Sequence, residues 1–186
     1  EFALSIDPRG EEPARFGFLQ VRPMVVSQAE VDVADEELGS EAALVASEQV
    51  MGNGLVETIR DVVYVRPDAF EAAATRRIAG ELEELNRPLA ADGRPYLLLG
   101  FGRWGSSDPW LGIPVEWSQI AGARAIVEAT LPEMNVERSQ GSHFFHNITS
   151  FQVFYFQVHH AGPHRVDWAW LDGQPAAAQT EHCRRV

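Results

Sequence analysis

Tyr96-Leu97-Leu98-Leu99, followed by Gly100-Phe101-Gly102-Arg103-Trp104-Gly105, is the part of the sequence that decides the fold. A short apolar run that ends at glycines is typical of a buried strand. Residues 125–129 predict another strand, and residues 152–158 predict one that is apolar on both faces. We therefore expect a sheet with a buried centre.

A helix is predicted directly before the first of these strands, over residues 67–88. Asp68 with Glu71 three residues later resembles a capping box, and Pro88 ends the pattern. Apolar residues then recur on one helical face, which favours contact with the core. These residues are Phe70, Ala74, Ile78, Leu82 and Leu85.

The remaining chain adds shorter elements. Gly52-Asn53-Gly54 predicts a hairpin that joins residues 43–51 to residues 55–65. We also expect a helical turn in residues 117–123, a short helix with a polar face after residue 142, and a strand over residues 164–171. Residues 180–186 show no capping or turn signature. Strands before and between helices predict the α/β class, with a mixed sheet and flanking helices.

The sequence divides into three parts. Residues 1–26 predict a β-hairpin with its turn at residues 7–13. Residues 27–40 are acidic and predict an exposed linker, with a solvated helix as the alternative. Residues 41–186 form the α/β domain. Because residue 1 is not Met, we expect the chain to begin inside a longer polypeptide.

Charge and composition exclude several function classes. The 186 residues include 27 acidic and 15 basic side chains, all arginine, for a net charge of −12. The absence of lysine excludes Schiff-base and P-loop lysine chemistry. The acidic balance argues against nucleic acid and favours adaptation to a salty cytoplasm over an acidic binding face. The single Cys183 excludes an internal disulfide, and no apolar run predicts a membrane span or signal peptide. We expect a cytoplasmic location.

The glycine-rich stretch after residue 99 has three interpretations. It matches the GxGxxG fingerprint of dinucleotide-binding proteins, although Pro109 and Pro114 disfavour the helix that this site requires. Alternatively, its amides, the Arg103 guanidinium and nearby serine hydroxyls bind a phosphate or carboxylate. It can also be a tight structural loop with Trp104 and Trp110 packed beneath it.

The histidines provide a second candidate site. His143 and His146 are close enough on a helix to share a metal ion, with further histidines at 159, 160 and 164. A metal site also needs ligands from another element. Alternatively, His143 at the start of the predicted helix is a nucleophile whose nitrogen accepts a phosphoryl group. A capping or partly buried histidine is the third interpretation.

Two segments resemble the phosphoenolpyruvate synthase and pyruvate phosphate dikinase family. Glu1-Phe2-Ala3, followed by residues 18–23 (Phe-Leu-Gln-Val-Arg-Pro), is similar to the closing hairpin of that family's ATP-grasp domain. Residues 96–158 resemble its swivelling β/β/α phosphohistidine domain, through Asp108-Pro109-Trp110, residues 123–127 and His143 after Gly141.

This resemblance implies ATP-dependent phosphoryl transfer through His143 to pyruvate or a similar small carboxylate, the reaction of a kinase-like transferase. Glu1 and Gln20 would bind magnesium, while Arg22 would contact the ATP phosphates. Most of the nucleotide site would lie upstream of Glu1, so the rest of the same polypeptide is the expected partner and the fragment alone is expected to be inactive. The alternative is a non-catalytic module attached to an ATP-grasp domain, which holds an anion or a partner through Arg103.

Overall fold

The computed structural model of the protein describes residues 2–6, 9, 13–18, 31–134 and 152–186. The helix predicted after residue 142 lies outside these ranges, as do the candidate residues Glu1, Gln20, Arg22 and His143. Within the described ranges, no helix combines the length and apolar character needed to cross a membrane.

A seven-stranded mixed sheet forms the centre of the structure. The strands in chain order are β1 Phe2–Ser5, β2 Arg15–Phe18, β3 Val50–Met51, β4 Asp61–Val65, β5 Tyr96–Phe101, β6 Arg103–Trp104, β7 Gly112–Ile113, β8 Ala123–Ala129, β9 Phe154–Val158, β10 Ala178–Gln179 and β11 Cys183–Arg185. The sheet order is β10-β11-β4-β5-β8-β9-β3. Pairing is parallel from β4 through β5 and β8 to β9, and antiparallel elsewhere in this sheet. The predicted α/β class is confirmed, whereas the phosphohistidine-like domain stays a prediction.

Helices cover the sheet and connect its strands. They are α1 Asp35–Leu38, α2 Thr75–Ala91 and α3 Trp168–Gly173, with 3-10 turns at Pro67–Ala69, Ala72–Ala74 and Trp117–Ile120. The last of these turns confirms the prediction for residues 117–123. In the predicted linker, α1 has no buried residue, as expected for the solvated-helix alternative.

The two faces of the sheet carry separate apolar layers. On one face, Ile78 and Leu82 of α2 belong to the same buried cluster as Leu98 of β5. On the other face, Leu171 of α3 packs in a cluster with Tyr64 of β4. The central strands are therefore buried on both sides, which explains their uninterrupted apolar runs.

The predicted bounds of the long helix are wrong at both ends. Phe70 is extended, and its ring packs against Phe101 with centroids 5.1 Å apart, so the chain makes two 3-10 turns before α2 begins at Thr75. Pro88 lies inside the last turns of α2, which continues to Ala91. Near a helix end, a proline removes one backbone hydrogen bond without interrupting a longer ladder.

The predicted hairpin between residues 43–51 and 55–65 is also wrong. Gly52 and Gly54 have positive φ angles of 103° and 134°. However, β3 pairs with β9 at the sheet edge, while β4 lies between β11 and β5. Parallel pairing in the sheet centre buries β4 on both faces, which a two-stranded hairpin cannot do.

The carboxy-terminal region differs from expectation in two places. Residues 164–171 were expected to form a strand, but they include the start of α3, where the Asp167 carboxylate accepts a hydrogen bond from the Trp170 N–H at 2.9 Å. Residues 180–186 contain β11, which pairs with β4. Elsewhere the predicted strands are confirmed as β5, β8 and β9. The described part of the first hairpin is confirmed by antiparallel β1 and β2, with Leu4 opposite Phe16.

Candidate functional site

The carboxyl ends of β5, β8 and β9 lie side by side and form what we call the carboxyl edge of the sheet. The Gly102 N–H donates to the Ala129 carbonyl oxygen at 3.0 Å, and the Thr130 N–H donates to the Val158 carbonyl oxygen at 3.2 Å. In open α/β sheets, ligands bind beyond the carboxyl ends of the parallel strands. The residues that follow these three strands are therefore the first candidates for a site.

The glycine-rich stretch at this edge is partly strand. Gly102 has a φ of +71°, and a Cβ there would lie 2.7 Å from the Leu111 carbonyl oxygen, so a glycine is required. Arg103 begins β6, which pairs in parallel with β7. Because β7, not a helix, follows Gly105, the dinucleotide interpretation is wrong.

The two tryptophans near this stretch have different environments. Trp104 is 1% exposed, and its indole N–H donates to the Val127 carbonyl oxygen at 3.0 Å. A Cβ on Gly100 would lie 2.6 Å from the Trp104 ring, which accounts for the glycine at this position. Trp110, in contrast, is 71% exposed. The packing predicted for both tryptophans is therefore correct for Trp104 and wrong for Trp110.

The serine turn beyond β6 bonds to itself. The Ser106 hydroxyl donates to the Asp108 carbonyl oxygen at 2.9 Å and accepts from the Asp108 N–H at 3.2 Å. The Asp108 carboxylate then accepts from the Trp110 N–H at 3.0 Å. These bonds stabilise the turn. Arg103 is half-buried at the same edge, and its guanidinium group forms stronger, charge-assisted hydrogen bonds to an anion than a serine hydroxyl does.

Two imidazoles follow β9 at the same edge. The Thr130 hydroxyl accepts from the His160 N–H at 3.0 Å and lies 3.0 Å from the His160 Nδ1. The His159 Nδ1 accepts from the Ala161 N–H at 3.2 Å, and the two histidine rings have centroids 4.4 Å apart. Since its Nδ1 is an acceptor, neutral His159 carries its proton on Nε2.

A buried carboxylate lies one residue before the end of β8. Glu128 is 4% exposed and accepts a hydrogen bond from the Tyr155 hydroxyl of β9. The sequence contained a signal for this pair, because an acidic residue inside an apolar strand must find a polar partner when it is buried. The apolar pattern of residues 125–129 predicts only a strand and does not reveal this pair.

A second group of polar side chains joins α2 to the turn between β10 and β11. Glu81, Glu181 and His182 each place one possible metal-ligand atom within 4.8 Å of the others. Both Glu81 oxygens are already hydrogen-bonded, however. One accepts from the Thr180 hydroxyl and the His182 N–H, and the other lies 2.7 Å from the His182 Nδ1.

This bonding explains the acidity of Glu81. Burial alone would raise the pKa of the carboxyl, but the hydrogen bonds from Thr180 and His182 outweigh burial and hold the pKa below its ordinary value. Beside it, burial and the Glu81 charge raise the pKa of the fully buried Cys183 thiol. The arrangement therefore fixes the turn and keeps the thiol protonated, which is unsuited to nucleophilic attack.

The predicted site residues fall into two groups. Arg103 lies at the carboxyl edge, while Glu1, Gln20, Arg22 and His143 lie outside the described residues. His143 and His146 of the suggested metal site also lie outside the described residues, whereas His164 lies 3.9 Å from a Glu48 carboxylate oxygen. Comparisons of the chain with protein-family models, curated proteins and solved structures found no match.

Proposed function

We propose that the chain is part of an ATP-dependent phosphotransferase of the phosphoenolpyruvate synthase type. In this proposal, His143 carries a phosphoryl group from ATP to pyruvate or a similar small carboxylate. Magnesium and ATP would bind in the longer protein, with Glu1, Gln20 and Arg22 completing that site. The sequence resemblance of residues 1–23 and 96–158 to this family is the starting point.

The observation that best supports the proposal is the position of Arg103 at the carboxyl edge. It comes two residues after the end of β5, and the adjacent ends of β8 and β9 are followed by Thr130 and His160 at the same edge. A guanidinium group matches the charge and geometry of a phosphoryl group, and this edge is where α/β sheets bind ligands. Arg103 would neutralise the oxygens of the transferring group.

The transfer itself needs one nucleophile. An imidazole nitrogen of His143 attacks phosphorus, and the P–N bond forms as the P–O bond to the nucleotide breaks. In the second step pyruvate loses a methyl proton to solvent, and its enolate oxygen bonds to phosphorus as the P–N bond breaks. Arg103 stabilises charge in both steps without forming a covalent bond.

The test is labelling of the full-length protein with ATP that carries radioactive phosphate in its β or γ position. We expect an acid-labile, base-stable protein label that disappears in His143→Ala and remains in the control variant His164→Ala. Labelling should also be slowed in Arg103→Gln. A protein that acquires no label, or a label unaffected by His143→Ala, contradicts the proposal. Phosphate binding that depends on Arg103 without any label would indicate the non-catalytic module instead.

A further inference from the structure

A cavity of about 460 Å³ opens at the opposite end of the sheet, where β4, β5 and β8 begin. We call it the amino-edge cavity. Val56, Leu89, Pro95 and Ala121 supply its apolar walls, from the segment before β4, the end of α2 and the turns before β5 and β8. Binding sites for small molecules are commonly apolar cavities of roughly 300–1,000 Å³ with a few polar groups that orient the ligand.

Positive charge collects at this cavity. Arg94 and Arg124 line it, and none of its described lining residues is acidic, in a chain whose net charge is −12. The Arg94 Nη2 donates to the buried Asp61 carboxylate at 2.8 Å, and the Arg185 Nε donates to the same carboxylate at 2.9 Å. Two guanidinium groups therefore share one carboxylate, and their combined charge stays positive.

Arg124 adds a charge that no acidic side chain among the described residues neutralises. Its Nη1 donates to the carbonyl oxygens of Ala121 and Ala123 at 3.0 and 2.9 Å, which fixes the guanidinium plane. Within residues 31–134 and 152–186, Arg124 forms no ion pair, and its Nε and Nη2 have no hydrogen-bond partner. Donors spread over a fixed guanidinium plane suit the two oxygens of a carboxylate.

The wall beside Arg124 is rigid. The buried Asn86 side-chain oxygen accepts from the Tyr96 hydroxyl and from the Gly122 N–H, both at 3.0 Å. A Cβ on Gly122 would lie 2.9 Å from the Tyr96 ring, so these groups are in close contact. A preformed wall lowers the entropy lost when a ligand binds.

The arginines are not needed to cap α2, whose carboxyl end borders the cavity. The last carbonyl groups of the helix already accept hydrogen bonds from the N–H groups of residues 92–94, at 2.8 to 3.2 Å. These bonds satisfy the acceptors that would otherwise attract a cation. The free donors of Arg124 therefore remain available for another anion.

We propose that the amino-edge cavity binds a small organic monocarboxylate. Its carboxylate pairs with Arg124, with Arg94 beside it, and its short apolar body contacts Val56 and Pro95. This site lies at the other end of the parallel strands from the carboxyl edge, so it does not rest on the proposed phosphoryl transfer. Inorganic phosphate, which has no apolar body, is expected to bind more weakly.

Titration of the 186-residue chain with butyrate, followed by amide NMR shifts of Gly93 and Gly122, tests the proposal. We expect a dissociation constant on the order of millimolar, since a ligand of this size makes few contacts. Arg124→Gln should weaken binding about tenfold through loss of a charge-assisted hydrogen bond. Arg76→Gln is the control, because Arg76 is exposed near the other end of α2. Butyramide is neutral, so its dissociation constant for the unchanged chain should be at least as high as that of butyrate for Arg124→Gln.

A second variant separates loss of binding from loss of folding. Ala90 lines the cavity from the exposed surface of α2, so Ala90→Trp should fill the cavity and abolish binding while circular dichroism stays unchanged. Undiminished butyrate binding in Ala90→Trp or Arg124→Gln overturns the proposal. Equal binding of butyramide overturns the role of the charge, and phosphate binding as tight as that of butyrate overturns the role of the apolar body.

Discussion

Replacing Glu81 with glutamine should weaken the attachment of the turn between β10 and β11 to α2. The Glu81 carboxylate accepts hydrogen bonds from the Thr180 hydroxyl, the His182 N–H at 2.8 Å and the His182 ring at 2.7 Å, and its side chain is 11% exposed. Glutamine keeps one oxygen as an acceptor. Its amide group, however, would present a donor to groups that are themselves donors.

The expected cost follows from these bonds. A hydrogen bond to a charged group contributes roughly 1.5–3 kcal/mol, and a buried donor left without an acceptor costs about 1–3 kcal/mol. Since glutamine retains part of the bonding, we expect Glu81→Gln to lower the free energy of unfolding by about 3 kcal/mol at pH 7. Glu84→Gln is the control, because Glu84 is exposed on the same helix.

The effect should also depend on pH. The folded pKa of Glu81 is below its ordinary value of 4.5, so its contribution is complete above about pH 4.5 and is lost as the pH falls through the folded pKa. Urea unfolding followed by tryptophan fluorescence from pH 7 to 3 should show the difference between wild type and Glu81→Gln shrinking towards acid. A cost no larger than that of Glu84→Gln, or one that is constant with pH, would refute this reasoning.

Two further predictions, tested by three substitutions, concern glycine positions and the buried Tyr64 hydroxyl. Gly102→Ala should destabilise the protein by about 2 kcal/mol or more, because the new Cβ would require a positive φ and would contact the Leu111 carbonyl oxygen. Gly80 lies on α2 with open space around it, so Gly80→Ala should stabilise the protein by roughly 0.5–1 kcal/mol. Thermal unfolding of both variants measures the contrast, and equal effects would contradict it. Burial of the Tyr64 hydroxyl, and then its hydrogen bond to the Asp172 carboxylate, raise the pKa of Tyr64 above its ordinary value of 10. The protonated hydroxyl therefore stabilises the folded protein at neutral pH, and this stabilisation is lost as the pH rises through the folded pKa. Tyr64→Phe should cost about 1 kcal/mol at pH 7 and less above pH 10, and a cost that grows with pH in urea titrations would contradict this.

The sequence predicted those elements for which the local pattern and the tertiary environment agree. The apolar runs at residues 96–99 and 125–129 became β5 and β8 because a strand buried on both faces requires uninterrupted apolar side chains. The hairpin predicted for residues 43–65 was wrong because Gly52 and Gly54 specify a change of chain direction but not which strand pairs with β4. That partner, β5, is selected by burial of β4 across the whole sheet.

Site residues were predictable where the chain topology alone brings them together. The position of Arg103 at the carboxyl edge was predictable because it comes two residues after a buried strand, while its role in binding stays a prediction. The bond between Glu81 and His182 joins residues 101 positions apart, and nothing in the local sequence specifies that β11 returns to pair with β4. The choice depends on the order of strands in the sheet, which single-sequence patterns do not contain.

The same topological rule extends to the other end of the sheet. Parallel strands bring their beginnings together just as they bring their ends together, so charged residues at strand starts become neighbours. Asp61 begins β4, Arg94 shortly precedes β5, and Arg124 is the second residue of β8. The negative charge of Asp61 is matched by Arg94 and Arg185, while Arg124 has no such partner in the described ranges. Excess positive charge therefore lies beside an apolar cavity. A carboxylate ligand bound there would gain binding free energy from its ion pair with Arg124 and from burial of its apolar part.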